Sequence, residues 1–367
     1  GVMYRILLKV IVVISIILGD NIEFQLEKSG INRSEIELAL TKVPKQQKSS
    51  IEWLISNMPR EDLETLSSDF LLNHTDLAFK AWNSAPWKND VPENIFLDNI
   101  LPYANLNEKR ENWRFKLRNT FIPYIQNITS PSEAVVILNK IIFKKLGVIY
   151  STQRPKADQS PSESILAGMA SCTGLSILLI NTCRSLGIPA RFVGTSSWYN
   201  DSGNHSWVEV WDNGWHYTGA AEPVDDLLNV GWFDNNASKA TSGDYKYGIF
   251  AVTWNYSDLF FPMDWLPEDI TYGAIDVTNR YNGKITPDFV TIGFRIFDEN
   301  GFRSSEKITV NGPNNYCFNG KTKGELNDLN DCLTLLLPRN KEFTVDFNNK
   351  SKKILSSDDV IIDLIID

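Results

Sequence analysis

GMASCTGLSILLINTCRSLGIPARFVG, residues 168–194, sets a cysteine at the first turn of an apolar helix and stops that helix at Gly187 and Pro189. Ser171 is the predicted N-cap, and Gly174 lets another backbone approach closely. The unpaired N–H groups and the positive end of the helix dipole favour a thiolate at Cys172, which makes this sulfur a candidate nucleophile near neutral pH. Cys183, farther along among Leu178, Leu179 and Leu186, reads as a small core hydrophobe. Short strand-like runs follow, ARFVGTSSW, HSWVEVW and GWHYTG, separated by turn signals such as Asp212-Asn213-Gly214.

A nucleophilic cysteine needs a base that takes its proton and later returns it, and His suits the task. The chain has 3 histidines. His74 lies in a helical N-terminal region and reads as solvent-facing or structural, while His216, beside Trp215, reads either way. His205 opens HSWVEVW, whose alternation puts His205, Trp207, Glu209 and Trp211 on one face and Val208 and Val210 on the other. Coming after a Gly203-Asn204 turn, it sits where a strand begins at the rim of a cleft.

Residues 168–194 followed by GNHSWVEVWDNGWHY resemble the core of the transglutaminase-like superfamily over about residues 150–232. That family has a cysteine opening a helix, a G-I-P-A-R segment after it, and then a His-x-Trp-x-Glu strand. The resemblance implies a papain-like cysteine-protease fold, with the nucleophile helix packed on a small antiparallel sheet that carries the His and an acid. It makes Cys172 the nucleophile and His205 the general base and acid. The third member departs from the pattern: the family's Asp, four residues after the next strand's Trp, is replaced by Gly219. Glu222 precedes the proline instead, and a bulge or turn through residues 219–221 brings its longer side chain to His205. Asp225, Asp226, or a backbone or Asn partner are the alternatives. Glu209 is assigned to the sheet's hydrogen bonding. Trp198, Trp207 and Trp215, with the Trp232-Phe233 pair, are assigned to the cleft wall, against the alternative of a Trp-rich sheet core.

The implied reaction is attack of the Cys172 thiolate on a carboxamide or peptide carbonyl, with backbone N–H groups at the helix start holding the oxyanion and His205 protonating the leaving amine. Water resolving the thioester gives a peptidase or amidase; an amine gives crosslinking. Exported microbial relatives favour hydrolysis of a protein, peptide or peptidoglycan-like amide. The alternative is a catalytically inactive binding or structural module. Local spacing offers no metal motif of the H-x₃-H kind, and no cofactor is called for. A formal charge of −9 and no basic stripe exclude a nucleic-acid partner.

The fold class expected is α+β, a papain-like, transglutaminase-like core between an N-terminal helical region and a C-terminal antiparallel β-sandwich. Residues 1–19 read as a signal peptide or N-terminal anchor, which implies export and a membrane contact only through that segment. Residues 20–147 are helical, with starts expected at Ser34 with Glu37, at Pro59, and at Ser130-Pro131-Ser132-Glu133, the last ending at Gly147. Residues 148–276 form the catalytic core. Residues 277–367 are strand and turn, and bind a carbohydrate or protein or brace the enzyme. In the oxidising compartment that export implies, a local Cys317–Cys332 disulfide is predicted.

Overall fold

The computed structural model describes residues 21–263, 271–282 and 288–366. The segment read as an export signal lies outside the described residues. Among these residues no helix is long and apolar enough to cross a membrane.

Helices Arg33–Lys42, Lys48–Asn57, Ser68–Ser84, Arg114–Phe121 and Pro131–Leu146 make up most of the N-terminal part. The last obeys its sequence signals: Ser130 Oγ accepts from Glu133 N–H, Pro131 takes the first position, and Gly147 closes the helix at φ 67°. The first starts earlier than Ser34 suggests. Asn32 precedes Arg33, and its side chain leaves the helix to donate to the Leu63 and Leu66 carbonyls. A long-range backbone need therefore outcompetes a local capping box.

The centre is a five-stranded antiparallel sheet in the order Trp215–Thr218, His205–Trp211, Ala190–Thr195, Phe250–Val252, Ala274–Asp276. Helix Cys172–Ser185 packs on the face that carries Val208 and Val210. Its C-terminal end is anchored by Arg184, whose buried guanidinium donates to the carbonyls of Ala190 and Ala104 at 3.1 and 2.8 Å. The chain then turns through Gly187 at φ 76°, where an added Cβ would lie 2.5 Å from the Ala81 carbonyl oxygen. Gly187→Ala should therefore destabilise the fold by more than about 1 kcal/mol, read as a lower urea midpoint at unchanged m-value.

One continuous apolar cluster runs from Leu26 to Ala274, so the helical region and the central sheet share their interior. Val277 and Tyr281 still pack with Trp207, and the sandwich begins with strand Phe289–Phe297. One sandwich sheet orders Cys317–Lys321, Lys307–Asn311, Glu342–Phe347, Lys350–Leu355; the other orders Leu333–Pro338, Phe289–Phe297, Val360–Ile365. Alternating residues such as Ile292, Phe294, Ile308, Val310 and Val345 fill the space between. The closing strand Val360–Ile365 runs parallel to Phe289–Phe297 within this otherwise antiparallel unit.

The Cys317–Cys332 disulfide is not formed, and both thiols are free. Cys317 opens a strand of one sheet and is exposed, whereas Cys332 lies half-buried just ahead of a strand of the other. Loop length alone could not show that the two ends diverge to opposite sheets.

Candidate active site

Cys172 begins its helix, as the sequence implies. Ser171 Oγ accepts from Gly174 N–H at 3.1 Å and donates to the Ala157 carbonyl at 2.6 Å, so the cap is fixed from both sides. Gly174 is tightly enclosed, with Ala170 Cβ 3.0 Å from where its own Cβ would be. Thr173 Oγ1 meets Ser206 Oγ at 3.2 Å, tying the first helical turn to the strand residue after His205. The half-buried Cys172 thiol is thereby held against the buried imidazole.

His205 is sandwiched among aromatic rings, with Trp232, Phe233 and Trp207 centroids at 4.6, 5.0 and 5.8 Å. Its Nε2 lies 3.4 Å from Glu222 Oε2. That carboxylate is aimed by the Trp232 indole, which donates to the same oxygen at 2.9 Å. The turn anticipated through residues 219–221 is present. Asn139, on helix Pro131–Leu146, donates to the Gly219 carbonyl at 2.8 Å and accepts from Ala221 N–H at 2.9 Å. Ala221 takes the left-handed φ of 65°, an unfavourable value for a residue with a Cβ. A Cβ on Gly219 would lie 2.3 Å from Glu222 Oε2. The glycine that displaces the family's acid is thus what makes room for the replacement.

A second carboxylate was not anticipated. Asp328, buried on a loop of the sandwich, brings Oδ2 to 3.6 Å from His205 Nδ1. The Cys172 sulfur, an imidazole nitrogen of His205 and a carboxylate oxygen of Asp328 all lie within 4.8 Å of one another. The loop's shape comes from Arg303, which donates to the carbonyls of Asn327, Asp331 and Gly324 at 2.6, 2.9 and 3.0 Å. It is docked on the core by Leu329 N–H to Tyr150 Oη at 2.7 Å and Asn330 Nδ2 to the Asn204 carbonyl at 2.6 Å. Burial alone would push the His205 pKa down, but the Glu222 and Asp328 carboxylates outweigh it and hold the imidazole well above its ordinary value. Burial opposes ionisation of Asp328 as well, yet His205 keeps that carboxyl below the usual range. A gap of more than a hundred residues of sequence, crossing into another unit of the chain, hid Asp328 from any motif.

Residues 119–220, which hold Cys172 and His205, match the family model of the transglutaminase-like superfamily. The chain contains a transglutaminase-like core. The match ends before Glu222, where the acid departs from the usual position. Solved structures that the chain matches include a candidate cysteine protease of Cytophaga hutchinsonii, at 20% identity and TM-score 0.28 over 48% of this chain and 62% of that one. Red sea bream transglutaminase aligns at 10% identity and TM-score 0.37 over 74% of this chain and 65% of that one. The chain thus spans less than two thirds of either structure. No curated protein matches the sequence significantly.

The other residues singled out in the sequence fall into distinct roles. Trp198 and Trp207 are fully buried and stacked at an interplanar angle of 12°, so their place in the cleft wall is corrected: they belong to the sheet's core and support His205 from beneath. Trp215 is not brought to the site: it pairs with Trp211, at the opposite end of the strand that His205 opens, and takes the Arg191 guanidinium over its ring at 3.7 Å. Its place in the cleft wall is corrected, because a seven-residue strand separates its ends by about 20 Å. Trp232 is the tryptophan that touches the acid. Asp225 and Asp226 face solvent, the latter paired with Lys140. Glu209 is wholly buried in the sheet's ion-pair network. His74 is buried and structural, its Nδ1 accepting from Arg114 Nε at 3.1 Å and its Nε2 facing the Glu111 carbonyl at 3.1 Å. His216 bonds the Asp212 carbonyl and Asn229 on the surface side of the sheet. Cys183 is fully buried, which pushes its thiol up to about 12, and Cys172 is the more accessible sulfur of that helix.

Proposed function

We propose that this transglutaminase-like chain is a cysteine hydrolase that cleaves an amide through a Cys172 thioester. The observation that carries the reading is the arrangement of His205 between the capped Cys172 and the Glu222 carboxylate. With Nε2 turned to Glu222, Nδ1 is the ring atom left to exchange a proton with Cys172. The Cys172 proton moves to Nδ1, the sulfur bonds the substrate carbonyl carbon, and the oxyanion is stabilised by backbone N–H groups at the helix start. The C–N bond then breaks as Nδ1 protonates the leaving amine. Water, deprotonated by the same nitrogen, attacks the thioester, releases the carboxylic acid and restores the thiol. Glu222 holds the ring and offsets the imidazolium charge throughout.

Two clefts border the site. A cleft of 510 Å³ is lined by Tyr150, Leu175, Ala220, Glu222, Leu326 and Asp328. A second, of 700 Å³, lies on the other side of the loop against Trp232 and Asp331. The 510 Å³ cleft borders the Glu222 and Asp328 carboxylates, a polar wall that water can wet, which favours hydrolysis over crosslinking. The substrate class proposed is a protein, peptide or peptidoglycan-like amide met outside the cytoplasm. Glu222→Gln keeps the shape but removes the charge, and should lower kcat roughly 10²–10⁴-fold in an assay that follows acid release from an amide without added amine. Unchanged turnover would remove Glu222 from the triad.

The catalytically silent alternative has one observation in its favour: Asp328 shares the Nδ1 side of His205 with Cys172. It predicts no covalent adduct with amide or electrophile at neutral pH in the native protein, whereas the hydrolase forms one.

A further inference from the structure

The three side chains gathered at the start of this helix form a donor set of another kind. We propose that Cys172, His205 and Asp328 bind a divalent cation of the zinc type. The set is one sulfur, one imidazole nitrogen and one carboxylate oxygen, each a zinc ligand, and all three atoms lie within 4.8 Å of one another.

The Nδ1 to Oδ2 separation of 3.6 Å is too long for a hydrogen bond. It matches the edge of a tetrahedron built on metal–ligand bonds of about 2.0–2.3 Å, which is roughly 3.3–3.8 Å. Both atoms are buried and unsatisfied: His205 Nδ1 and Asp328 Oδ2 make no hydrogen bond. Buried polar atoms left this way are uncommon, and two aimed at each other beside a thiol mark a place for an ion.

The surroundings also have the form of a metal centre. Ligation through Nδ1 requires the remaining proton on Nε2, which makes no hydrogen bond and faces Glu222 Oε2 at 3.4 Å. A carboxylate behind a ligating histidine fixes its tautomer and strengthens its donation. Asp328 is oriented by its other oxygen, which accepts from Asn330 N–H at 2.9 Å.

On binding, the Cys172 S–H bond breaks, the proton leaves to solvent, and the ion takes the thiolate lone pair together with those of Nδ1 and the carboxylate. No electron is transferred. Because Asp328 comes from the sandwich and the other two ligands from the core, the ion clamps the loop over the cleft and occupies the sulfur. The site rests on donor geometry alone and does not depend on Cys172 acting as a catalyst.

The test uses the full chain, reduced, treated with chelator, in a Cys317→Ser/Cys332→Ser background so that the two sandwich thiols do not compete. Titration with Co²⁺ should end at one equivalent with a thiolate-to-cobalt charge-transfer band, which Zn²⁺ bleaches. In competition with a chromogenic chelator, Asp328→Asn should weaken Zn²⁺ binding at least 10-fold, and Glu222→Gln about 10–100-fold, while Asp226→Asn changes nothing. Independently of any variant, one equivalent of Zn²⁺ should protect Cys172 from iodoacetamide. Cobalt uptake without the thiolate band, a band unaltered in folded Asp328→Asn, or unprotected Cys172 would overturn the proposal. A failure here leaves the hydrolase reading untouched, since turnover of the metal-free chain reports on that separately.

Discussion

Cys172→Ala should reduce amide turnover by about 10⁶-fold, the scale on which a triad loses its nucleophile, and should abolish acyl-enzyme formation seen by intact mass. The loss is chemical and not structural. Cys172 is half-buried at a helix start whose cap is made by Ser171, so the variant keeps its hydrogen bonds and its stability to within about 1 kcal/mol. No other sulfur can substitute, because Cys183 is fully buried and Cys317 and Cys332 belong to the sandwich. Residual turnover above about one part in 10³ would move the nucleophile elsewhere.

Glu209→Ala should produce the largest loss of stability of any single change near the site, about 3–5 kcal/mol. Glu209 is fully buried on the strand that His205 opens. Its Oε2 takes the Arg191 guanidinium at 2.6 Å, and its Oε1 accepts from Tyr281 Oη and Arg280 Nε at 2.7 and 3.0 Å. Removing the carboxylate strands Arg191 without a counter-charge at 7% exposure, against the ring of Trp215. Replacing a buried pair with apolar residues can be neutral, but deleting one partner is costly. The measurement is the urea midpoint and m-value; a loss under about 1 kcal/mol would mean that water reaches Arg191.

Much of this arrangement was legible in the sequence because the decisive signals are local. A cap, an apolar helix and a Gly-Ile-Pro stop fix helix Cys172–Ser185, and alternation in HSWVEVW fixes which residues share a face with His205. Ser160-Pro161-Ser162-Glu163 repeats the signature of Ser130-Pro131-Ser132-Glu133, and it caps helix Pro161–Ala167 inside a stretch that polarity alone makes a loop. What the sequence hid is long-range. Trp215 shares a strand-like run with the site, yet a strand's length carries it away. Asn139 and Trp232 fix Glu222 from distant segments, and Asp328 arrives from the sandwich. These contacts depend on how helix, sheet and sandwich close on each other, which no spacing encodes. The same reason defeats the Cys317–Cys332 pairing: two cysteines near in sequence were carried to opposite sheets.

The most direct test of the central claim is the rate of Cys172 alkylation by iodoacetamide as a function of pH, for the metal-free wild type and for His205→Ala. If Cys172 and His205 form a thiolate–imidazolium pair, labelling is rapid well below pH 8 and becomes slow in the variant. Labelling that follows an ordinary thiol near about pH 8.5 in both proteins would contradict the account and leave the fold without the chemistry proposed for it.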